Sequence, residues 1–226
     1  MSVHQLLLVA HIAVFGVWFG TDLATFTISR SVLDAAVDVA TRRTLAGVMM
    51  SIEVLARLSL PVMLALGLAL SVDGGLLDLP RWTMWLFLAV GLAWSGMVWT
   101  IHRAGGGELG SALANVDLVV RILVCAVLWV AGLVSAFGTT GPFVGQWLGA
   151  KVTLFALVMT CGIAIRFMLR PFAPAFAALV TEGPSPEREA AAALPVRRAQ
   201  PLVVVIWASL LGAVALAVTQ SVPWSS

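Results

Sequence analysis

Residues 115–137 read NVDLVVRILVCAVLWVAGLVSAF, a continuous apolar run in which Asp117 and Arg121 are the only charged residues. An α-helix rises about 1.5 Å per residue, and about 20 mostly apolar residues cross the hydrocarbon core of a bilayer. A helix that is apolar on all sides has no face to present to water. The run therefore predicts a transmembrane helix.

Five further apolar runs predict an all-α membrane bundle of six transmembrane helices. The predicted spans are approximately 5–28, 45–71, 82–102, 115–137, 146–169 and 200–220. No stretch of domain size remains outside them, so residues 1–226 are predicted to form a single transmembrane domain. The one long connection, 171–199, is predicted to be a cytoplasmic surface loop with a short helix over 187–194.

The composition of the whole chain agrees with a membrane location. Hydrophobic residues make up 61% of the chain and charged residues 11%, and the mean hydropathy is +1.03. So little polar surface cannot cover a water-solvated core, which excludes a soluble enzyme, a nucleic-acid-binding protein and a disulfide scaffold. Cys125 and Cys161 lie inside apolar runs without metal-ligand or redox spacing, so both are predicted to be packing residues.

The arginines are distributed unequally between the two predicted faces of the membrane. Arg81 alone lies on one face, and nine arginines lie on the other: Arg30, Arg42, Arg43, Arg103, Arg166, Arg170, Arg188, Arg197 and Arg198. Loops rich in Lys and Arg stay in the cytoplasm. The bias predicts a multi-pass protein of the cell inner (plasma) membrane with both termini outside.

Part of the chain is repeated at an offset of 64 to 65 residues. Glu53 and Arg57 in the second span are four residues apart, and an acid and an arginine have the same spacing in the fourth span. The corresponding pairs are Glu53 with Asp117, Arg57 with Arg121, Gly67 with Gly132, and Trp82 with Trp147. The hairpin of helices two and three is therefore predicted to be a duplicate of that of helices four and five. The alternative is chance similarity between leucine-rich helices.

Apart from Arg166 at the end of the fifth span, six charged residues lie within the predicted spans: Asp22, Glu53, Arg57, Asp117, Arg121 and Lys151. A charge near the bilayer centre costs at least about 2.5 kcal/mol on insertion scales, so such residues face the bundle interior and pair or serve a site. Two interpretations stay open. These residues form salt bridges that hold the bundle together, or they form a polar site between the hairpins.

His11 and Lys151 are predicted to lie at the same depth, roughly 9 and 8 Å below the outer ends of their helices. His102 lies roughly 30 Å from the outer face and cannot share a cofactor with His11. Three histidines cannot supply the four ligands of two bis-histidine haems. One haem with His11 as its single histidine ligand stays open, as does an ordinary hydrogen-bonding role for His11.

The first helix resembles that of the HemJ-type protoporphyrinogen oxidases and of the related copper-resistance D (CopD) membrane proteins. The resemblance rests on His11 followed by Trp18, with Arg30 ending the helix. The pair Arg42 and Arg43 resembles the basic pair that precedes the second helix of that family.

The fourth and fifth helices are similar to a hairpin of the same family. The matching features are Gly132, the turn at 141–142, the run WLGAK at 147–151, and the closing Arg166 and Arg170. The run resembles the family's Trp-Leu-x-Ala-Lys signature. Helices two and three form an additional copy of the hairpin, so the six-span architecture is closer to the broader CopD-like members.

The resemblance implies one bound haem b, with His11 as its iron ligand and as the only metal-binding residue. It implies that Lys151 is the residue needed for activity. It also implies a quinone or a porphyrin as the reaction partner. The predicted site lies between helices one and five in the outer half of the membrane, and the residues assigned to the cofactor are His11, Trp18, Arg57, Arg121 and Lys151. Lys151 is predicted to hold a propionate or an anionic substrate group, and the alternative is a neutral amine bound to the iron.

Three functions are compatible with these features. The first is a haem b-binding oxidoreductase or electron-transfer protein of the HemJ type. The second is a CopD-like permease for copper or a small solute, and the third is a non-catalytic membrane subunit of a larger complex. All three place the chain in the lipid bilayer, allow partner membrane subunits or a homo-oligomer, and involve no nucleic acid.

The predicted orientation can be tested with reporter fusions. Fusions after Gly106 or at Pro184 should report the cytoplasm, and fusions after Ser226 the outside, because the arginine-rich loops are retained inside. Activity of an externally active reporter at Pro184 would contradict the orientation.

Overall fold

The computed structural model describes residues 1–138 and 140–222, so the fusion point at Ser226 lies outside the described residues. Its helices are α1 (Val3–Val32), α2 (Val39–Asp73), α3 (Thr83–Ala104), α4 (Glu108–Phe137), α5 (Gln146–Met168), α6 (Phe172–Glu182) and α7 (Pro186–Thr219). Six helical segments of the described chain are long and apolar enough to cross a membrane. The predicted all-α bundle of six spans is confirmed.

Helices that follow one another in the chain pack side by side, from α1 to α5, and α7 packs against α5. The indole N–H of Trp207 on α7 donates a hydrogen bond of 2.7 Å to Asp22 Oδ2 on α1, which brings the last span back to the first. One hydrophobic core receives a buried side chain from each spanning helix: Trp18, Leu60, Trp94, Leu128, Met159 and Leu210.

The hairpins α2–α3 and α4–α5 have the same helix register. In the first hairpin, the hydroxyl of Ser95 donates to the carbonyl of Leu58 at 2.8 Å. In the second, the hydroxyl of Thr160, 65 residues after Ser95, lies 3.3 Å from the thiol of Cys125. Cys125 lies within two residues of the position that this offset assigns to Leu58. The contacts therefore favour a duplicated hairpin over chance similarity.

The segment between the fifth and sixth spans is helical rather than a loop. Residues 172–182 form α6, only residues 183–185 separate it from α7, and the helix predicted over 187–194 is the start of α7. The charged residues of this segment are not confined to the surface, since Glu189 pairs with the buried Arg42. One apolar face contributes Phe176, Leu179 and Ala192 to a buried cluster with the end of α1 and the start of α2. Burial of that face orders the whole segment.

Arg42 joins three helices at the predicted cytoplasmic end of the bundle. Its side chain is 1% exposed. Its Nε donates to the carbonyl of Val32 at the end of α1, and its Nη1 and Nη2 donate to the Glu189 carboxylate on α7 at 2.7 and 2.8 Å. The sequence predicted a basic residue at the membrane surface, whereas the structure shows a buried bidentate pair.

We expect Arg42→Leu to lower the free energy of unfolding by about 3–5 kcal/mol, because it leaves the Glu189 carboxylate half-buried without its partner. Thermal unfolding in detergent measures the change. Arg43→Gln is the matched control, since Arg43 is exposed and has no ion pair among the described residues. Equal losses in the two variants would show that the buried pair does not stabilise the bundle.

Candidate functional site

His11 faces α2 from the third turn of α1. Its ring lies beside Gly67, with Cε1 3.4 Å from the position that a Cβ on Gly67 would occupy. The absence of a side chain at Gly67 therefore leaves room for the imidazole. In the described part of the chain, His11 Nδ1 is the only buried side-chain nitrogen or oxygen without a hydrogen-bond partner.

Lys151 lies near the start of α5, opposite α1. Its side chain is half-buried, and it forms no hydrogen bond or ion pair with the residues that the structure describes. Lys151 is close enough to His11 for a Coulombic interaction between the two groups. The structure thus brings together the two residues that the sequence placed at one depth, and neither has a protein partner of opposite charge.

Trp18 is a buried side chain that follows His11 along α1. It is 5% exposed and contacts Phe155 on α5 edge-to-face, with 5.9 Å between ring centroids. Trp18 lies two turns after His11 on the same face of α1, which is about 10 Å further into the membrane. The two rings therefore join α1 and α5 two turns after His11 and one turn after Lys151.

The two arginines assigned to the cofactor lie elsewhere in the bundle. Arg57 pairs with Glu53 at 2.7 Å and its side chain is 59% exposed. Arg121 pairs with Asp117 at 2.9 Å. Both predicted acid–arginine pairs are confirmed. No hydrogen bond or ion pair joins either arginine to His11 or Lys151 among the described residues.

Asp117 is the centre of a buried polar cluster that the sequence predicted only in part. Its carboxylate accepts hydrogen bonds from Trp94 Nε1 at 2.9 Å, from Arg121 Nε at 2.9 and 3.0 Å, and from Arg166 Nη1 at 3.0 Å. Arg166 also donates to the carbonyl of Ala114. The sequence assigned Arg166 to the cytoplasmic surface. The antiparallel register of α4 and α5 could have placed it opposite Asp117.

Two surface cavities lie away from the His11–Lys151 region. The first, of about 690 Å³, lies between the start of α2 and α6 and is lined by Val39, Ala40, Arg43, Thr44, Gly47 and Val180. The second, of about 510 Å³, lies along α4 and is lined by Ala126, Val127, Val130, Ala131, Val134 and Pro142. Neither contributes to a site at His11.

A metal ion held by protein side chains alone has no site in the described residues, because no group of three or more His, Cys, Asp or Glu side chains converges there. Cys125 and Cys161 are buried free thiols. Any metal at His11 therefore needs ligands that the described side chains do not supply.

Comparison with known proteins identifies no relative of this chain. No family model, no curated protein and no solved structure matches it.

We expect Arg121→Leu to lower the folded yield, because it removes one of the two guanidinium groups that neutralise a carboxylate buried in the membrane. Size-exclusion chromatography of detergent-solubilised protein measures the yield. The control is Arg57→Leu, which removes the corresponding but exposed pair and should cost less. If Arg121→Leu gave as much folded protein as the parent, the pairing would not stabilise the fold.

Proposed function

We propose that this chain is a haem b-binding membrane oxidoreductase or electron-transfer protein with its cofactor site between α1 and α5. One observation carries the proposal. His11 Nδ1 is buried without a partner, and Lys151, within Coulombic range of that ring, has no acidic partner in the described chain. Buried polar groups are normally satisfied, so an unpartnered histidine nitrogen with an uncompensated lysine in Coulombic range favours a bound ligand that carries a metal or donor and an anionic group.

His11 is the residue that would hold the haem iron. Imidazole is a common protein ligand of haem iron, and a haem brings four nitrogen ligands of its own, so it needs no cluster of metal-binding side chains. Haem b, when bound, supplies one-electron chemistry. Gly67 leaves space beside the ring on α2 because it has no side chain.

Lys151 fits the role of an anion anchor. An ammonium group in the membrane without an acid requires a negative charge from elsewhere, and a haem propionate or an anionic substrate group supplies it. The alternative role, a neutral amine that ligates the iron, requires no anion. We favour the charged role because Lys151 lies only about 8 Å below the outer end of α5, where its head group can stay partly hydrated.

Trp18 and Phe155 exclude water from the inner side of the region, since their rings contact each other across α1 and α5. An apolar wall beside a redox centre influences its potential. By analogy with the HemJ-type family, we propose a quinone or a porphyrin as reaction partner, in the inner membrane with both termini outside. We also propose that the chain associates with partner membrane subunits or with a second copy of itself.

We expect His11→Ala to remove most of the Soret absorbance of the purified protein, because the iron loses its histidine ligand. His102→Ala is the matched control. His102 is exposed, stacks on Trp99 near the end of α3, and should not affect the spectrum. Full retention of haem in His11→Ala would overturn the ligand assignment. A parent protein without Soret absorbance would overturn the haem proposal and favour the permease or the non-catalytic subunit.

Lys151→Met distinguishes the two roles of the lysine. If Lys151 anchors an anion, the variant should keep its haem and its low-spin spectrum but lose electron transfer. A shift of the low-spin spectrum would instead show that the amine is an iron ligand.

A further inference from the structure

Asp22 differs from the other acids inside the spans. Glu53 pairs with an arginine one turn away, and Asp117 pairs with two arginines. Asp22 forms no ion pair with any residue that the structure describes. A carboxylate in the hydrocarbon region without a positive partner is costly. Its charge has to be compensated by something other than a side chain.

The groups around Asp22 offer one hydrogen bond and no positive charge. Trp207 on α7 donates its indole N–H to Asp22 Oδ2 at 2.7 Å. From α2, the acid Glu53 lies within Coulombic range, and the arginine next to it is held by Glu53 itself. On α1, the guanidinium of Arg30 lies over the Phe26 ring at 4.8 Å rather than beside Asp22. Asp22 therefore faces a second negative charge.

The second carboxyl oxygen of Asp22 is accessible. Oδ1 accepts no hydrogen bond from the described residues. It is also not one of the fully buried side-chain atoms that lack a partner in the described chain. One oxygen is thus fixed by the indole while the other is not enclosed by the described side chains. Asp22 lies on the same face of α1 as Trp18, one turn closer to the predicted cytoplasmic side.

We propose that Asp22 is a proton-binding site inside the membrane, which takes up a proton on its carboxylate from water on the cytoplasmic side and returns it there. The bound proton supplies the positive charge that the neighbouring helices lack. The proposal does not depend on haem binding, because Asp22 contacts neither His11 nor Lys151 through any hydrogen bond or ion pair of the described chain.

Labelling with dicyclohexylcarbodiimide tests the proposal on the full chain in detergent. The reagent adds to protonated carboxyl groups in apolar surroundings and leaves a stable N-acylurea that peptide mass spectrometry locates. At neutral pH, we expect Asp22 to be labelled at least about tenfold more than Asp117, whose charge is compensated by two arginines. Asp117 and Glu53 are internal controls in the same sample. Equal labelling of Asp22 and Asp117 would overturn the proposal.

Two variants make the test independent of reagent access. Asp22→Asn keeps an acceptor for Trp207 but cannot bind a proton, so it should lose the infrared C=O stretching band of a protonated carboxyl group. Trp207→Phe removes a donor that favours the charged carboxylate, so labelling of Asp22 should persist to higher pH. A carboxyl band that is unchanged in Asp22→Asn would assign the proton to another residue and overturn the proposal. Soret absorbance of the same samples tests haem binding separately.

Discussion

A charged side chain inside the hydrocarbon region of a bilayer needs a compensating charge, and in this chain that charge comes from the same helix or from a neighbouring one. Asp117 on α4 receives hydrogen bonds from Trp94 on α3, from Arg121 on its own helix and from Arg166 on α5. Because removal of one partner leaves a buried charge uncompensated, the relative positions of these three helices are fixed by the pairing as well as by apolar packing. Arg42 does the same for α1, α2 and α7 at the end of the bundle.

The two halves of the duplicated architecture use equivalent residues differently. Arg121 is mostly buried and Arg57 mostly exposed, although each pairs with an acid one turn before it. The difference follows from the neighbours. Arg121 lies over the ring of Trp94, whereas Arg57 has no ring contact or second acid among the described residues. An exposed pair contributes little to stability, so of these two equivalent pairs the one in the second hairpin contributes more.

Among the described residues of the spans, Lys151 and Asp22 lack a side-chain counter-charge, and they lie at different levels of the bundle. Lys151 is near the start of α5, within Coulombic range of His11, and Asp22 is in the second half of α1, where Trp207 donates a hydrogen bond to it. The contact of Trp18 with Phe155 lies between them. A base and an acid at separate levels leave separate needs for an anion at one level and for a proton at the other. This separation is the physical basis for assigning a ligand site and a proton site to different parts of one bundle.

The sequence by itself determined the fold class, the six spans and the two acid–arginine pairs, because helix length and an i, i+4 spacing are local properties that apolar runs and charges record directly. It also placed His11 and Lys151 at one depth, since depth follows from counting residues along each helix. The tertiary structure alone decided the rest. Arg42 and Arg166 form ion pairs because Glu189 and Asp117 approach them from other helices, and residues 172–182 form a helix because its apolar face is covered by α1, α2 and α7. Such contacts depend on which helix faces are adjacent, and hydropathy along one chain does not record the rotation of one helix against another.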